Sequence, residues 1–250
     1  MKHVTEPGFH THAVRVELIG CGGTGSFVLS GLARLHIAML ELGHPHGLQV
    51  TAWDPDRVSH ANVGRQLFTM PEVNHFKAEC LIHRINMQYG LFWQAVNEKY
   101  FPDGYIPNHS IIICCVDSRA SRAEINQFLP KRKGPYLLDA GNDLSIAQCI
   151  LGNGSDKLPY PYKVFPDLID TTFKEVNRPS CSLAESLGQQ SLFINQWIAT
   201  GVLEILWQMF RKGGLNHRGF FINLENGRMN PILINNKPNQ GELKNANQTQ

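Results

Sequence analysis

A glycine cluster, one polar stretch and two isolated side chains carry the chemical signal of this chain. Gly20, Gly22 and Gly25, with Gly23 among them, read G-x-G-x-x-G after the apolar run Val14 to Ile19. The first glycine permits a sharp turn, the second lets backbone approach a phosphate, and the third allows close helix–strand packing. The expected ligand is a nucleotide, held at the N-terminus of the helix that follows. A glycine-rich turn with no ligand is the plain alternative. A second apolar run ends at Asp54, where an acidic residue suits a ribose hydroxyl. The polar stretch after it holds Asn62, Arg65 and Gln66, and Lys77 opens an amphipathic segment. Arg offers a fork of donors and Lys a point charge, so Asn62, Arg65 and Lys77 together suit a triphosphate. The same stretch equally suits a solvated surface loop. Asp117 ends a third apolar run, where a carboxylate would face the ligand crevice and suit magnesium bridging phosphates. Cys181 stands between Ser180 and Ser182, before the last long apolar segment. A thiol there would have its pKa lowered by a helix N-terminus and by Arg178, as a nucleophile needs. The competing reading has a flanking serine capping the helix while Cys181 only packs.

The elements that must position these residues alternate between strand and helix. Strands are expected at 14–19, 48–53, 91–96, 110–116, 136–140 and 145–151, and helices at 27–42, 77–87, 119–129 and 183–211. A hairpin is expected over 220–234. The fold class is α/β: a Rossmann-like, doubly wound, mostly parallel sheet with an antiparallel C-terminal extension. Residues 1–12 read as a flexible arm, 13–234 as a single domain with a crossover loop at 152–181, and 235–250 as a disordered tail. The crossover is expected to be irregular, with Pro159, Pro161, Pro166 and Pro179 and few apolar repeats.

Composition narrows the class. The chain has 250 residues, 42% of them hydrophobic, enough for one large core. Lys and Arg number 23 against 21 Asp and Glu, a net charge of +2, which calls for neither nucleic acid nor an anionic membrane. The N-terminal residues lack a signal-peptide core, and no run reaches the length of a membrane span. None of the six cysteines forms a C-x-x-C pair, so a structural zinc is not expected. Most of them read as small core residues of a reduced, cytoplasmic protein.

Gly20-x-Gly22-Gly23-x-Gly25, Asp54-x-Asp56-x-Val58, Asn62-x-x-Arg65-Gln66, Lys77 and Asp117 together closely resemble the ThiF/MoeB/HesA family of ubiquitin-activating-enzyme-like adenylyltransferases. The resemblance runs from about Val14 to Ile234. The Asn-x-x-Arg-Gln segment is its most specific part. More narrowly, the size and the missing zinc cysteines resemble the ThiF-like members of the bacterial PRTRC cassette.

This resemblance implies ATP and magnesium as cofactors. It implies attack on the α-phosphate by the C-terminal glycine carboxylate of a small ubiquitin-like β-grasp protein. Many members then pass the acyl group to a cysteine, and Cys181 occupies the matching position. By position, Gly22 and Gly25 would line the phosphates, Asp54 the ribose, Asn62, Arg65 and Lys77 the phosphate groups, and Asp117 the magnesium. The resemblance also implies a homodimer. Family members often have a glycine before the lysine; here the turn reads Val73-Asn74-His75-Phe76, and Asn tolerates a left-handed backbone. Two other classes account for part of the pattern. An NAD-dependent oxidoreductase explains the glycines and Asp54 but not Arg65, Gln66 or Lys77. A non-catalytic module would bind a ubiquitin-like partner without turnover.

Overall fold

The computed structural model of the chain describes residues 2–102, 106–172 and 191–234. Strand β1 (His3–Val4) and the single-turn helix α1 (Gly8–Thr11) lead into β2 (Val14–Ile19). Helix α2 (Gly23–Glu41), strand β3 (Leu48–Trp53), helix α3 (Lys77–Tyr89) and strand β4 (Gln94–Val96) follow. Strand β5 (Ser110–Cys114), helix α4 (Arg119–Gln127) and strands β6 (Tyr136–Asn142) and β7 (Ile146–Gly152) come next. After the short helix α5 (Pro161–Val164) and the long helix α6 (Ile194–Lys212), strands β8 (Gly214–Leu215), β9 (His217–Asn223) and β10 (Arg228–Leu233) close the described chain.

Eight strands form one sheet in the order β10-β9-β7-β6-β5-β2-β3-β4. Strands β4, β3, β2, β5 and β6 are parallel, and β7, β9 and β10 extend the sheet antiparallel. The central strands β5 and β6 are buried almost throughout because both their faces are covered, while β2 and β3 expose only Arg15 and Gln49. Val14, Val16 and Leu18 face the α2, α3 and α6 layer, while Ile19, Ile112 and Leu137 face α4 and α5. The chain leaves β2 in one direction to build β3 and β4, then returns to β5 on the other side. The reversal opens a crevice between the ends of β2 and β5, where α/β sheets hold their ligands.

Three expectations differ from what is observed. Residues 3–12 are not a loose arm: β1 pairs with β8, the Thr5 hydroxyl donates to the Met209 carbonyl at 3.1 Å, and Phe9 is fully buried. One aromatic anchor and a two-residue strand suffice to seat the segment over the end of α6. The crossover is structured as far as it is described, with α5 and a 3₁₀ turn at Pro166–Ile169. Proline at the first helical position starts both turns, so residues that break longer helices favour short ones here. Helix α2 begins at Gly23, inside the glycine motif, four residues earlier than its apolar periodicity predicts. The proposed tail at 235–250 lies outside the described residues.

Candidate active site

The glycine turn sits at the mouth of the crevice. Gly20 has φ +90°, and a β-carbon there would lie 2.8 Å from the Cys115 carbonyl oxygen, so neither backbone nor space admits a side chain. Gly25 serves packing: a β-carbon on it would collide with the Gly20 carbonyl. Gly20, Gly22 and Gly23 line the cleft, and Gly25 does not. The cleft has a volume of about 360 Å3 and crosses the ends of β3, β2, β5 and β6.

The polar stretch between β3 and α3 folds back so that its charges reach the cleft. Val58 N–H donates to the His75 carbonyl and Asn74 N–H to the Val58 carbonyl, pinning the two ends of the stretch together. Asn74 is the one described non-glycine residue with positive φ, at +73°, as a left-handed turn before the lysine requires. Lys77 opens α3 with its side chain largely buried, and its Nζ donates to Asp56 Oδ2 at 2.9 Å. Asp54 is buried. Its Oδ2 accepts the Cys21 N–H at 2.6 Å and its Oδ1 the Asp56 N–H at 2.8 Å, so it fastens the glycine turn to the end of β3. Burial raises its pKa, and Lys77 and the two N–H groups oppose the rise.

Arg65 and Gln66 line the cleft beside Gly22 and Gly23. Burial lowers the Arg65 pKa against the opposing pull of Asp117, which stands across the cleft at the end of β5. Gln66 is 7% exposed, and its Oε1 has no hydrogen-bond partner. A buried acceptor on a cleft-lining residue fits a ligand with a matching donor, such as a hydroxyl group. Asn62 is not among the cleft residues. Its Oδ1 accepts the Ser59 N–H at 2.9 Å and closes a capping box, and its carbonyl accepts the Gln66 N–H at 2.9 Å. It therefore shapes the turn that delivers Arg65 and Gln66.

Asp117 is exposed at the cleft and is followed by a capped helix, with the Ser118 hydroxyl accepting the Ser121 N–H. Behind it, Arg122 Nη2 donates to the Val116 carbonyl at 2.8 Å while its Nε donates to Asp139 Oδ1 at 3.0 Å. Tyr162, from α5, also donates to Asp139 Oδ1, at 2.9 Å. This buried cluster fixes the turn that carries Asp117.

Sequence reasoning missed several cleft residues. Trp53 and Tyr100 stack edge to face with centroids 5.3 Å apart and, with Ile125 and Val116, give the cleft an apolar end suited to a base. Thr24, Asn142 and Asn195 form a neutral polar group at the opposite end. Trp53 is the last residue of its strand, and that position was its only signal. Cys181 lies outside the described residues. Among the other cysteines, burial raises the thiols of Cys21, Cys114 and Cys149, Cys114 to about 12, as inert core residues require, and raises that of Cys115, which is half-buried and lines the cleft. No group of three or more potential metal-ligating residues occurs among the described residues. No helix among them is long and apolar enough to cross a membrane.

Comparison with known proteins identifies the family and the fold. The model of the ThiF family matches residues 10–243. The Escherichia coli MccB structure determined with ATP is similar at 17% identity and TM-score 0.59, covering 92% of this chain and 66% of that one. MccB with MccA-N7isoASN gives 14% identity and TM-score 0.60 over 90% and 66% of the two chains. PaaA gives 14% and 0.54 over 88% and 64%. The chain thus spans slightly under two thirds of the length of these structures. At such identities they show the fold. No curated protein matches the sequence.

Proposed function

The chain belongs to the ThiF family, and from that premise we propose that it is an ATP-dependent adenylyltransferase acting on the C-terminal carboxylate of a small ubiquitin-like β-grasp protein. One observation carries the reading: Arg65, Gln66, Lys77 and Asp117 surround the glycine turn in a single cleft. A nicotinamide oxidoreductase would leave that set of cations and amides without a task.

In this reading the nucleoside lies toward Trp53 and Tyr100, with Asp54 holding the turn against the ribose. The phosphates rest on the N-terminus of α2, where the Gly22 and Gly23 backbone meets Arg65 and Lys77. A carboxylate oxygen of the partner forms a bond to the α-phosphorus as the bond from phosphorus to the bridging oxygen breaks. Pyrophosphate leaves with the electron pair, and an acyl-adenylate remains. The protein supplies position and charge rather than a covalent group. Arg65 and Lys77 neutralise charge that grows on the phosphoryl oxygens, and the exposed Asp117 carboxylate would hold magnesium. A single exposed cleft carboxylate suits that ion, which commonly takes one or two protein carboxylates. When bound, magnesium would neutralise phosphate charge. Lys77 already pairs with Asp56, so phosphate would exchange one anion for another on the ammonium without moving α3. Cys181 is the proposed acceptor for a following thioester step. The sulfur would then bond the acyl carbon as AMP leaves.

Calorimetry with magnesium and ATP tests the first half, and ATP–pyrophosphate exchange with a candidate ubiquitin-like protein tests the second. Arg65→Ala and Lys77→Ala are expected to lower exchange about a hundredfold while circular dichroism stays unchanged. Exchange at the wild-type rate in both variants, or binding of NAD without ATP, refutes the assignment. For Cys181, a thiol-sensitive adduct on a non-reducing gel should vanish in Cys181→Ala while exchange persists.

A further inference from the structure

Two asparagines of the chain stand directly before a glycine: Asn153 before Gly154, and Asn226 before Gly227. Such a pair carries its own chemistry. The backbone nitrogen of the glycine can attack the carboxamide carbon of the asparagine, and glycine has no side chain to obstruct the approach. Neither pair lies in the nucleotide cleft.

Locally the two pairs are alike. Asn153 Oδ1 accepts the Ser155 N–H at 3.2 Å, and Asn226 Oδ1 accepts the Arg228 N–H at 3.0 Å. Both are Asx turns, with the carboxamide folded over the next peptide unit. Gly154 and Gly227 have φ +75° and +67°. An N–H that donates to the amide oxygen draws electrons from the carbonyl carbon and opens it to attack. Residue type and local geometry give both pairs the same tendency.

Their surroundings differ. Asn153 is 1% exposed, and its Oδ1 also accepts the Ser155 hydroxyl at 2.7 Å. Its backbone N–H donates to the Leu158 carbonyl and its carbonyl accepts the Gly134 N–H, each at 2.9 Å. A β-carbon on Gly154 would lie 2.5 Å from the Arg132 carbonyl oxygen and 2.6 Å from the Tyr160 ring. This carboxamide is pinned and shut away from the water that the reaction consumes. Asn226 and Gly227 are exposed at the tip of the hairpin, between the paired residues Asn223 and Arg228. Nothing stands within 4 Å of a β-carbon placed on Gly227.

We propose that Asn226 is a site of self-modification: it deamidates in the folded protein, while the fold protects Asn153. Solvent removes the Gly227 N–H proton, and the nitrogen bonds Asn226 Cγ. The bond from Cγ to Nδ2 breaks, and ammonia leaves with its electron pair and a proton from water. A water molecule then opens the cyclic imide at either carbonyl. One opening gives aspartate, the other isoaspartate, whose main chain runs through the side chain and is one methylene longer. In sum, one water is consumed and one ammonia is released. Either product places a carboxylate next to Glu225, whose Oε1 accepts the Ser145 hydroxyl at 2.9 Å. The isoaspartyl product also lengthens the turn that sets the pairing of Asn223 with Arg228, and so strains the register of the edge strand β10.

The test follows both amides in one sample and does not depend on adenylation. The full chain is incubated at physiological temperature and mildly alkaline pH, with a parallel sample unfolded in urea. Tryptic fragments 134–157 and 219–228 are weighed for exchange of an amide for a carboxyl group, and fragment ions locate it. Asn223, which precedes Leu224, is the internal control. In the folded chain Asn226 is expected to react at least about tenfold faster than Asn153, a factor that about 1.4 kcal/mol of local opening free energy imposes. In urea the two rates are expected to converge, because only the fold separates them. A methyltransferase specific for isoaspartyl residues should label the aged wild type and not the aged Asn226→Gln variant. An Asn226 amide that lasts as long as that of Asn153 or Asn223 in the folded chain overturns the proposal. A difference that persists undiminished in urea overturns it too, by assigning the contrast to neighbouring residues rather than to the fold. Equal labelling of the two aged chains would place the isoaspartate elsewhere and refute the assignment.

Discussion

At the scale of single residues, the glycine turn and the buried Arg122–Asp139 pair hold the site's geometry by different means. Gly25 leaves no room for a methyl group, because the Gly20 carbonyl occupies that space. Gly25→Ala must push α2 off β2, and overpacking of this kind costs about 1–3 kcal/mol. A lowered urea midpoint with unchanged slope is the expected result; an unchanged midpoint would show that the turn is slack. Asp139 is fully buried, with Arg122 and Tyr162 on one oxygen. Asp139→Ala strands the guanidinium and should cost about 3–5 kcal/mol, whereas Arg122→Met with Asp139→Leu should cost much less. Equal losses would show that shape, not charge, holds the turn at Asp117. Gly20, Asp54, Arg65, Gln66, Lys77 and Asp117, singled out from sequence, line one cleft; Gly20, Asp54 and Asp117 follow apolar runs and Lys77 opens one, which made their placement legible. Asn195 was illegible for the opposite reason. It falls inside a helical apolar pattern, next to Ile194, and only the third dimension brings it over Gly23.

At the scale of elements, β5 and β6 announced themselves as short apolar runs, β2 and β3 as apolar residues alternating with Arg15, Glu17, Gln49 and Thr51, and the helices between them as periodic segments. The N-terminal segment did not. Its apolar content is little more than Val4 and Phe9 among histidines, so local pattern favours a loose chain, and tertiary contacts reverse that. Phe9 packs edge to face on Tyr136 at 5.1 Å, and His3 Nε2 lies 2.6 Å from the Tyr136 hydroxyl. Burial lowers the His3 pKa, with Glu6 opposing and Lys133 reinforcing the shift. A histidine held below its ordinary value takes up a proton in the unfolded chain first. Its stabilising effect is therefore complete above about pH 6.5 and is lost as pH falls from there toward the folded-state value. Burial lowers His36 in the same way, so the comparison must isolate His3. His3→Gln keeps a partner for Tyr136 and cannot charge. The decline in melting temperature between pH 7 and 5 should be shallower in His3→Gln than in wild type. Parallel curves would mean that the strap does not sense pH.

At the scale of the whole molecule, the fold was legible as an α/β sheet, and the position of the cleft followed from strand order. Surface apolar residues were not, because periodicity marks a helix face without saying what covers it. The apolar spacing of 183–211 predicts Phe193 and Trp197 on the buried side of the last long helix, yet they are 60% and 53% exposed. They stand at the start of α6 with Leu192, and the Ser191 N–H donates to the Leu144 carbonyl, which brings the exposed Leu144 and Ile146 alongside. Exposed apolar side chains on neighbouring segments mark an interface more often than single scattered ones. We propose that this face joins two copies of the chain about a two-fold axis, the commonest assembly for soluble proteins. The interface would lie two residues from Asn195 and so beside the β6 end of the cleft. Light scattering at micromolar concentration should give twice the mass of the 28.1 kDa chain. Trp197→Glu would bury a charge against the partner and should shift the mass to that of one chain, with the circular dichroism spectrum retained. A single-chain mass for the wild type would refute the dimer. A dimer that survives Trp197→Glu would place the interface elsewhere.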